Sequence, residues 1–242
     1  MTLVKDSLGK KSQIRASPNQ RFIGYKLKNR FHTYEFAQLP ALMNYKYYLN
    51  IEVGTELLCD VGTDFFELMN KNPNLQFGFA NAPADSRTST KTLFKNYMQF
   101  FKTDVSKRRP VGNNLMDFSV KKLRKTGQLK YSTCNFDSNF EIAELSLFRT
   151  DSYREFFEHF DNAYGQFYER WTDYNIKSLY ISTFVPSDHI FWVDNLGFFD
   201  SQDRTVCPAN MQSRLDNTCV CDPDVVKESK LLQRVQKKKL MI

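Results

Sequence analysis

A chain of 242 residues, 41% hydrophobic and 15% aromatic, is long enough for one large domain with a well-buried core. Nine glycines and eight prolines exclude a collagen-like or low-complexity chain, and the lack of any run near about eighteen apolar residues argues against a membrane-spanning helix. The formal charge of +7 suggests nucleic acid only until it is divided: residues 1–30, 101–130 and 225–242 carry the basic excess, while 31–100 sum to −2 and 131–224 to −10. The aromatic body is therefore acidic, and no specific nucleic-acid surface is expected of it.

In chain order, residues 1–20 are polar and aperiodic and read as a disordered basic lead-in. Met1 to Lys11 carries charge where a secretory signal needs an apolar stretch, so either the protein is cytosolic or a targeting piece lies elsewhere. The body is expected from residue 21 to residue 224. Leu42, Tyr45, Tyr47, Tyr48, Leu49 and Ile51 form a short apolar run that ends in Glu52-Val53-Gly54, the pattern of a buried strand entering a turn. Asp64 to Met69 is a short helical pattern stopped by Asn72-Pro73, and Gln76 to Ala80 is strand-like. Leu93, Phe94, Tyr97, Phe100 and Phe101 give an amphipathic helix over Thr90 to Lys102. Residues 103–130 read as a basic loop.

The most patterned stretch follows. Phe140 to Phe148 reads as a largely buried strand, and Thr150 or Asp151 can cap what comes next. From Tyr153 through Trp171 the aromatic residues recur at helical steps, with Gly165 dividing two helices and the second running on through Ile176, Leu179 and Tyr180. His189 to Asp194 is a further strand candidate, followed by a cysteine-bearing coil and a basic tail over 225–242. Strands alternating with helices predict an α/β layer fold.

Five cysteines, at 59, 134, 207, 219 and 221, leave at least one unpaired within the chain. Cys207, Cys219 and Cys221 cluster in a segment rich in Pro, Asn and Asp. A loop-closing disulfide suits an oxidising compartment and free thiols suit the cytosol, whereas zinc fits a Cys-x-Cys spacing with no nearby histidine poorly.

No phosphate-binding loop, dinucleotide fingerprint or nucleophile elbow is present, and three histidines leave little for a histidine-based metal site. Carboxylates remain. Glu52 ends one apolar strand, Glu141 opens another, and Asp173 stands where a hydrophobic stripe turns charged. Strand ends are where open α/β sheets bind ligands, and acids gathered there can hold a hard cation and steady an oxocarbenium-like sugar centre. Each acid taken alone reads better as a helix-end or salt-bridge residue.

The run Asn139-Phe140-Glu141-Ile142-Ala143-Glu144-Leu145-Ser146-Leu147-Phe148-Arg149, then Ser152-Tyr153-Arg154-Glu155-Phe156-Phe157 and Phe167-Tyr168-Glu169-Arg170-Trp171-Thr172-Asp173, closely resembles the fungal Golgi α-1,2-mannosyltransferases, the glycolipid 2-α-mannosyltransferases of glycosyltransferase family fifteen. Arg30-Phe31 through Pro40, Tyr45, Tyr48, Glu52, Cys59-Asp60, Phe65 and Met69 match upstream. Cys207-Pro208 and Cys219-Val220-Cys221-Asp222 match downstream. The resemblance runs from about Arg21 to Asp224.

It implies the C-terminal portion of an A-type glycosyltransferase fold, a mixed sheet flanked by helices without the first nucleotide-binding strands. It also implies transfer of mannose from GDP-mannose to a mannosylated glycan acceptor, with retention of configuration and Mn²⁺, in the Golgi lumen. Protein glycosylation or cell-wall mannan synthesis would be served, and any membrane tie would run through an anchor this chain lacks. Residue by residue, Glu141 falls on the family's nucleophilic or stabilising acid, Asp173 on the acid after the Tyr-Glu-Arg-Trp motif, Glu52 on the metal-binding Glu, and Tyr25 on a donor-site tyrosine. The chain departs from the pattern at Gly197-Phe198-Phe199-Asp200, where the metal-binding histidine is replaced and Asp200 is the substitute ligand. It departs also at Val53 for a proline, Asp137 for a tryptophan and Lys177 for a histidine. The alternative expectation is a catalytically inactive paralogue or fragment that binds mannosylated glycans or a sibling transferase.

Overall fold

A computed structural model describes residues 23–85, 90–103, 109–200 and 204–224, so the expectations for the lead-in and the basic tail fall outside the described residues. The centre is a four-stranded mixed sheet. β1 (Tyr47–Ile51) is antiparallel to β6 (Phe140–Glu144), β6 is antiparallel to β3 (Phe77–Phe79), and β3 is parallel to β7 (Ile190–Trp192). β6 is paired on both sides, which places Glu141 between Asn50 and Phe79 in register.

Because strand side chains alternate, the sheet divides its residues cleanly between two layers. Phe140 and Ile142, with Phe191 and Val193, face a smaller apolar cluster that includes Phe65 and Met69 of α2 (Phe65–Lys71). Ala143, Phe77, Phe79, Ile190 and Trp192 face the main aromatic layer. Two helices build that layer: α5 (Asp151–Asp161) contributes Tyr153, Phe156 and Phe160, and α7 (Asp173–Phe184) contributes Ile176, Leu179, Tyr180 and Ile181. Thr150 caps α5 by accepting from the Tyr153 N–H at 3.1 Å. The strand expected from Phe140 to Phe148 stops at Glu144, and Leu145–Arg149 turns as a 3₁₀ helix that buries Leu145, Leu147 and Phe148.

Close approach accounts for two glycines. A Cβ on Gly165, which opens the one-turn helix α6 (Gly165–Tyr168), would meet Trp171 at 2.1 Å, and a Cβ on Gly78 would meet the Phe191 ring at 2.3 Å. The aromatic stripe, expected as two helices divided at Gly165, is broken twice: α5 ends at Asp161, and the expected second helix stops at Tyr168 before the chain turns helical again at Asp173. α7 restarts the chain with Thr172 as N-cap and Asn175 closing a capping box.

Three regions depart from the sequence reading. A helix, α1 (Ile23–Thr33), stands where none was expected, and it packs on α7. Within 103–130, read as loop, the chain forms α3's last turn (α3, Leu93–Thr103), a short helix α4 (Met116–Ser119) and a hairpin of β4 (Val120–Lys122) and β5 (Leu129–Tyr131). The cysteine-bearing coil supplies β8 (Phe198–Phe199) and β9 (Thr205–Val206), which form a small second sheet with the upstream β2 (Glu56–Leu57), and then α8 (Met211–Asp216). Disulfides Cys59–Cys219 and Cys207–Cys221 tie this sheet to the chain after α8, and Cys134 is a buried thiol. No helix among the described residues is long and apolar enough to cross a membrane.

Candidate functional site

Glu141 points from the middle of β6 to the aromatic side of the sheet and is 1% exposed. A carboxylate there needs donors, and two reach it. The Tyr48 hydroxyl, from β1, donates to Oε1 at 2.7 Å, and the Lys177 ammonium, from α7, donates to the same oxygen. Lys177 lies one helical turn after Asp173, and its Nζ is 3.6 Å from Asp173 Oδ2. Glu141 and Asp173, 32 positions apart, therefore share one lysine. Burial pushes the Glu141 carboxyl above its ordinary range, Lys177 pulls it down, and the Asp173 charge pushes it up again.

Asp173 occupies the first turn of α7, where a negative charge is favoured by the unpaired N–H groups, and its own N–H donates to Asn29 Oδ1 of α1 at 3.3 Å. Tyr25, Asn29 and His32 recur at steps of four and three and so share one face of α1. That face looks at the acids. Burial raises the Tyr25 phenol, and the charges of Asp173, Asp85 and Glu52 add to the rise. Burial lowers the His32 imidazole, with Lys177 and Lys28 acting the same way and Asp173 and Glu52 opposing.

Glu52 follows β1 directly. Its N–H donates to the Asn139 carbonyl at 2.9 Å, and its carboxylate is paired with Lys28 of α1. Glu52, Glu141, Asp173 and Tyr25 thus meet around the face of α1, whereas Asp200 lies on the far side of Asn139. Asp200 is fully buried. Its Oδ2 accepts from Asn139 Nδ2 at 2.8 Å and Arg204 Nε at 2.7 Å, and its Oδ1 accepts from the Arg204 N–H at 3.0 Å. Arg204 Nη2 also stands 3.0 Å from Asp137, whose carboxyl burial pushes up to about 6 against the pull of Arg204.

The residues present do not fit the expected manganese ion. Asp200 has no face open to an ion, and Glu52, with Lys28 on it, is the one remaining carboxylate of the expected pair. His159 is bonded to the Asn96 carbonyl, and His189 lies 3.2 Å from Gln76. Among the described residues the one cluster of three ligand-type side chains is Cys59, Cys219 and Cys221, all held in disulfides, so zinc has no thiolate there either.

Sequence reasoning reached three of the pocket's acids, Glu52, Glu141 and Asp173, and its tyrosine, but not how they are paired. Lys177 carries a readable signal, a lysine in a helix otherwise made of apolar and small polar residues, four places after an aspartate. Asp137 sits in an aromatic run, Phe136-Asp137-Ser138-Asn139-Phe140, with no local cation, because its partner Arg204 is 67 positions on. Asn29 and Tyr48 give no local sign of their roles.

Comparison with known proteins gives a consistent result. The sequence profile of the family described as glycolipid 2-alpha-mannosyltransferase matches residues 7–236. Glycolipid 2-alpha-mannosyltransferase 2 of Candida albicans is 35% identical over 200 residues, covering 83% of this chain and 42% of the relative. The probable mannosyltransferase KTR3 of Saccharomyces cerevisiae is 33% identical over 201 residues, covering 83% and 48%. The chain thus spans about half the length of the curated relatives it matches. Among solved structures, the mannosyltransferase Ktr4p of S. cerevisiae superposes with a TM-score of 0.77 at 25% identity, over 98% of this chain and 61% of that one. Core-mannan synthase A of Aspergillus fumigatus, solved in an Mn/GDP form, superposes with a TM-score of 0.73 at 27% identity, over 96% and 59%.

Proposed function

We propose that this chain, which belongs to the glycolipid 2-alpha-mannosyltransferase family, moves mannose from GDP-mannose to a mannosyl hydroxyl with retention of configuration, and that the sugar reacts in the pocket of Glu141 and Asp173. One observation carries the reading: acids from three segments far apart in sequence gather around one buried lysine and one helix face.

Glu141 faces the anomeric carbon, as nucleophile or as the carboxylate that steadies an oxocarbenium-like centre. The second acid, Asp173, is less buried than Glu141, and it holds the sugar's hydroxyls. Tyr25, on the rim formed by α1, packs against the donor, and its raised phenol remains a neutral hydrogen-bond donor at physiological pH. No step is routed through a metal, because Asp200 is spoken for by Asn139 and Arg204. A Ktr4p structure was solved with GDP, which supports a GDP-sugar as donor for this chain.

The acceptor we assign is a mannosylated glycan of the secretory pathway, and the compartment the Golgi lumen, with cell-wall mannan or protein glycans as the product. Two disulfides beside one small sheet suit an oxidising compartment. The test is transfer of radiolabelled mannose from GDP-mannose to α-methyl mannoside, with wild type and Glu141→Gln side by side. Transfer by the wild type, lost in the variant, is the expected result. A well-folded wild type that transfers nothing, with or without added Mn²⁺, overturns the reading.

A further inference from the structure

Four polar side chains of α7 have structural employment. Asn175 closes the capping box, Ser178 accepts from the Phe136 N–H at 2.7 Å, Ser182 donates to Ser119 at 2.8 Å, and Thr183 donates to the Leu179 carbonyl at 2.6 Å. Lys177 serves no such backbone need. A lysine on a helix ordinarily carries its ammonium out to water, and taking it out of water costs several kcal/mol unless it is well paired. Here the side chain is 2% exposed, flanked by the rings of Phe36 and Phe148 at 5.3 and 5.6 Å, and its head lies between Glu141 and Asp173.

The two donors to Glu141 choose the same oxygen. Tyr48 and Lys177 both bond Oε1, and among the described residues no group donates to Oε2. A carboxylate held this way is fixed in rotation, with one oxygen anchored from two elements and the other left for a ligand. The charge count is also asymmetric. Two acids share one cation, and the other titratable groups facing them are the acid Asp137, Tyr48 of β1, Tyr153 of α5, and Tyr25 and His32 of α1, whose phenols are raised and whose imidazole is lowered by burial and so supply no second cation near neutral pH.

We propose that Lys177 is the positioning residue of this pocket: it clamps Oε1 of Glu141, offsets the Asp173 charge beside it, and so presents Oε2, ionised and correctly turned, to the sugar. The proposal deepens the reading of Glu141 as the sugar-facing acid and rests on it. A merely structural ion pair would shift the Glu141 carboxyl and the stability of the fold together without moving the acid limb of mannosyl transfer.

The experiment has two arms on the whole chain. In the first, mannosyl transfer is followed against pH for wild type, Lys177→Met and Lys177→Arg. An opposite charge at this distance lowers a carboxyl by about 1–3 pH units, so Lys177→Met is expected to move the acid limb of kcat/KM upward by about one unit or more. On the acid side of the limb it should lose about tenfold in kcat for each unit the limb moves, with KM little changed, and Lys177→Arg should restore the limb. In the second arm, the Glu141 side-chain carboxyl, labelled with ¹³C and assigned by its loss in Glu141→Gln, is titrated by NMR in the same variants. This arm needs no activity, so a wild type that fails to transfer overturns the functional reading while Lys177 is still judged. If Lys177→Met does not fold, Lys177→Gln keeps a donor without the charge and takes its place. An acid limb, or a Glu141 titration, that stays where the wild type has it in the uncharged variant overturns the proposal.

Discussion

The two faces of β6 are built on opposite terms. Phe140 and Ile142 sit on one side in an apolar cluster with Phe65, Phe191 and Phe198, where each side chain is held by shape alone. Glu141 sits on the other, surrounded by the aromatic layer yet bonded to Tyr48 and Lys177. An apolar side chain can be trimmed at a cost set by the cavity left behind. A buried charge removed from a network strands its partners, and the damage exceeds its size. One five-residue strand thus separates what stabilises the fold from what the fold was built to hold.

Substitutions on the two faces separate these roles. The largest effect is expected at Glu141: Glu141→Gln keeps the volume but removes the charge, and mannosyl transfer should fall by at least about 10³-fold with the far-ultraviolet circular dichroism unchanged. Phe140→Ala, on the opposite face and one residue away, should cost about 3–5 kcal/mol in urea unfolding while the folded fraction keeps its kcat/KM. If Phe140→Ala damaged catalysis per folded molecule as Glu141→Gln does, the two faces would not be independent.

Asp137 tests the network through pH. Its ordinary value is 3.8 and the folded protein pushes it up to about 6. The protonated acid is favoured in the folded state, so its contribution is complete below about pH 4 and is lost as pH rises through about 6, about 3 kcal/mol in all. Asp137→Asn should remove that part of the slope, read as the difference between variant and wild-type urea midpoints from pH 4 to 8. An unchanged slope would place the charge in contact with water. Smallest of all, Ile142→Val should cost about 0.5–1.5 kcal/mol and leave transfer untouched.

Much of this was legible in the sequence, and what was not has a physical reason. The buried strand at β6 and the aromatic stripe that begins in α5 are read directly, because burying large side chains leaves an apolar run or a period. α1 was silent because the residues it buries are Asn29 and Thr33, and a polar buried face leaves no apolar period to find. The β4–β5 hairpin was hidden by charge: of its six residues three are lysines, and Val120 and Tyr131 alone are buried. The site was legible as a set of acids and illegible as a network. Glu141 waits 36 positions for Lys177, and Asp137 waits 67 for Arg204, so only the fold could show which cation answers which acid. Asp200, which a family pattern offers as a metal ligand, is paired by the fold with Arg204 four positions on and with Asn139 61 positions back.

The central claim is that Glu141 and Asp173 share one pocket in which the sugar reacts, and a crystal structure of this chain with bound GDP-mannose tests it most directly. The account predicts the anomeric carbon about 3–3.5 Å from Glu141 Oε2, with the Asp173 carboxylate on the sugar's hydroxyls. A mannose seated against another surface, with Glu141 still sealed behind Tyr48 and Lys177, would contradict it.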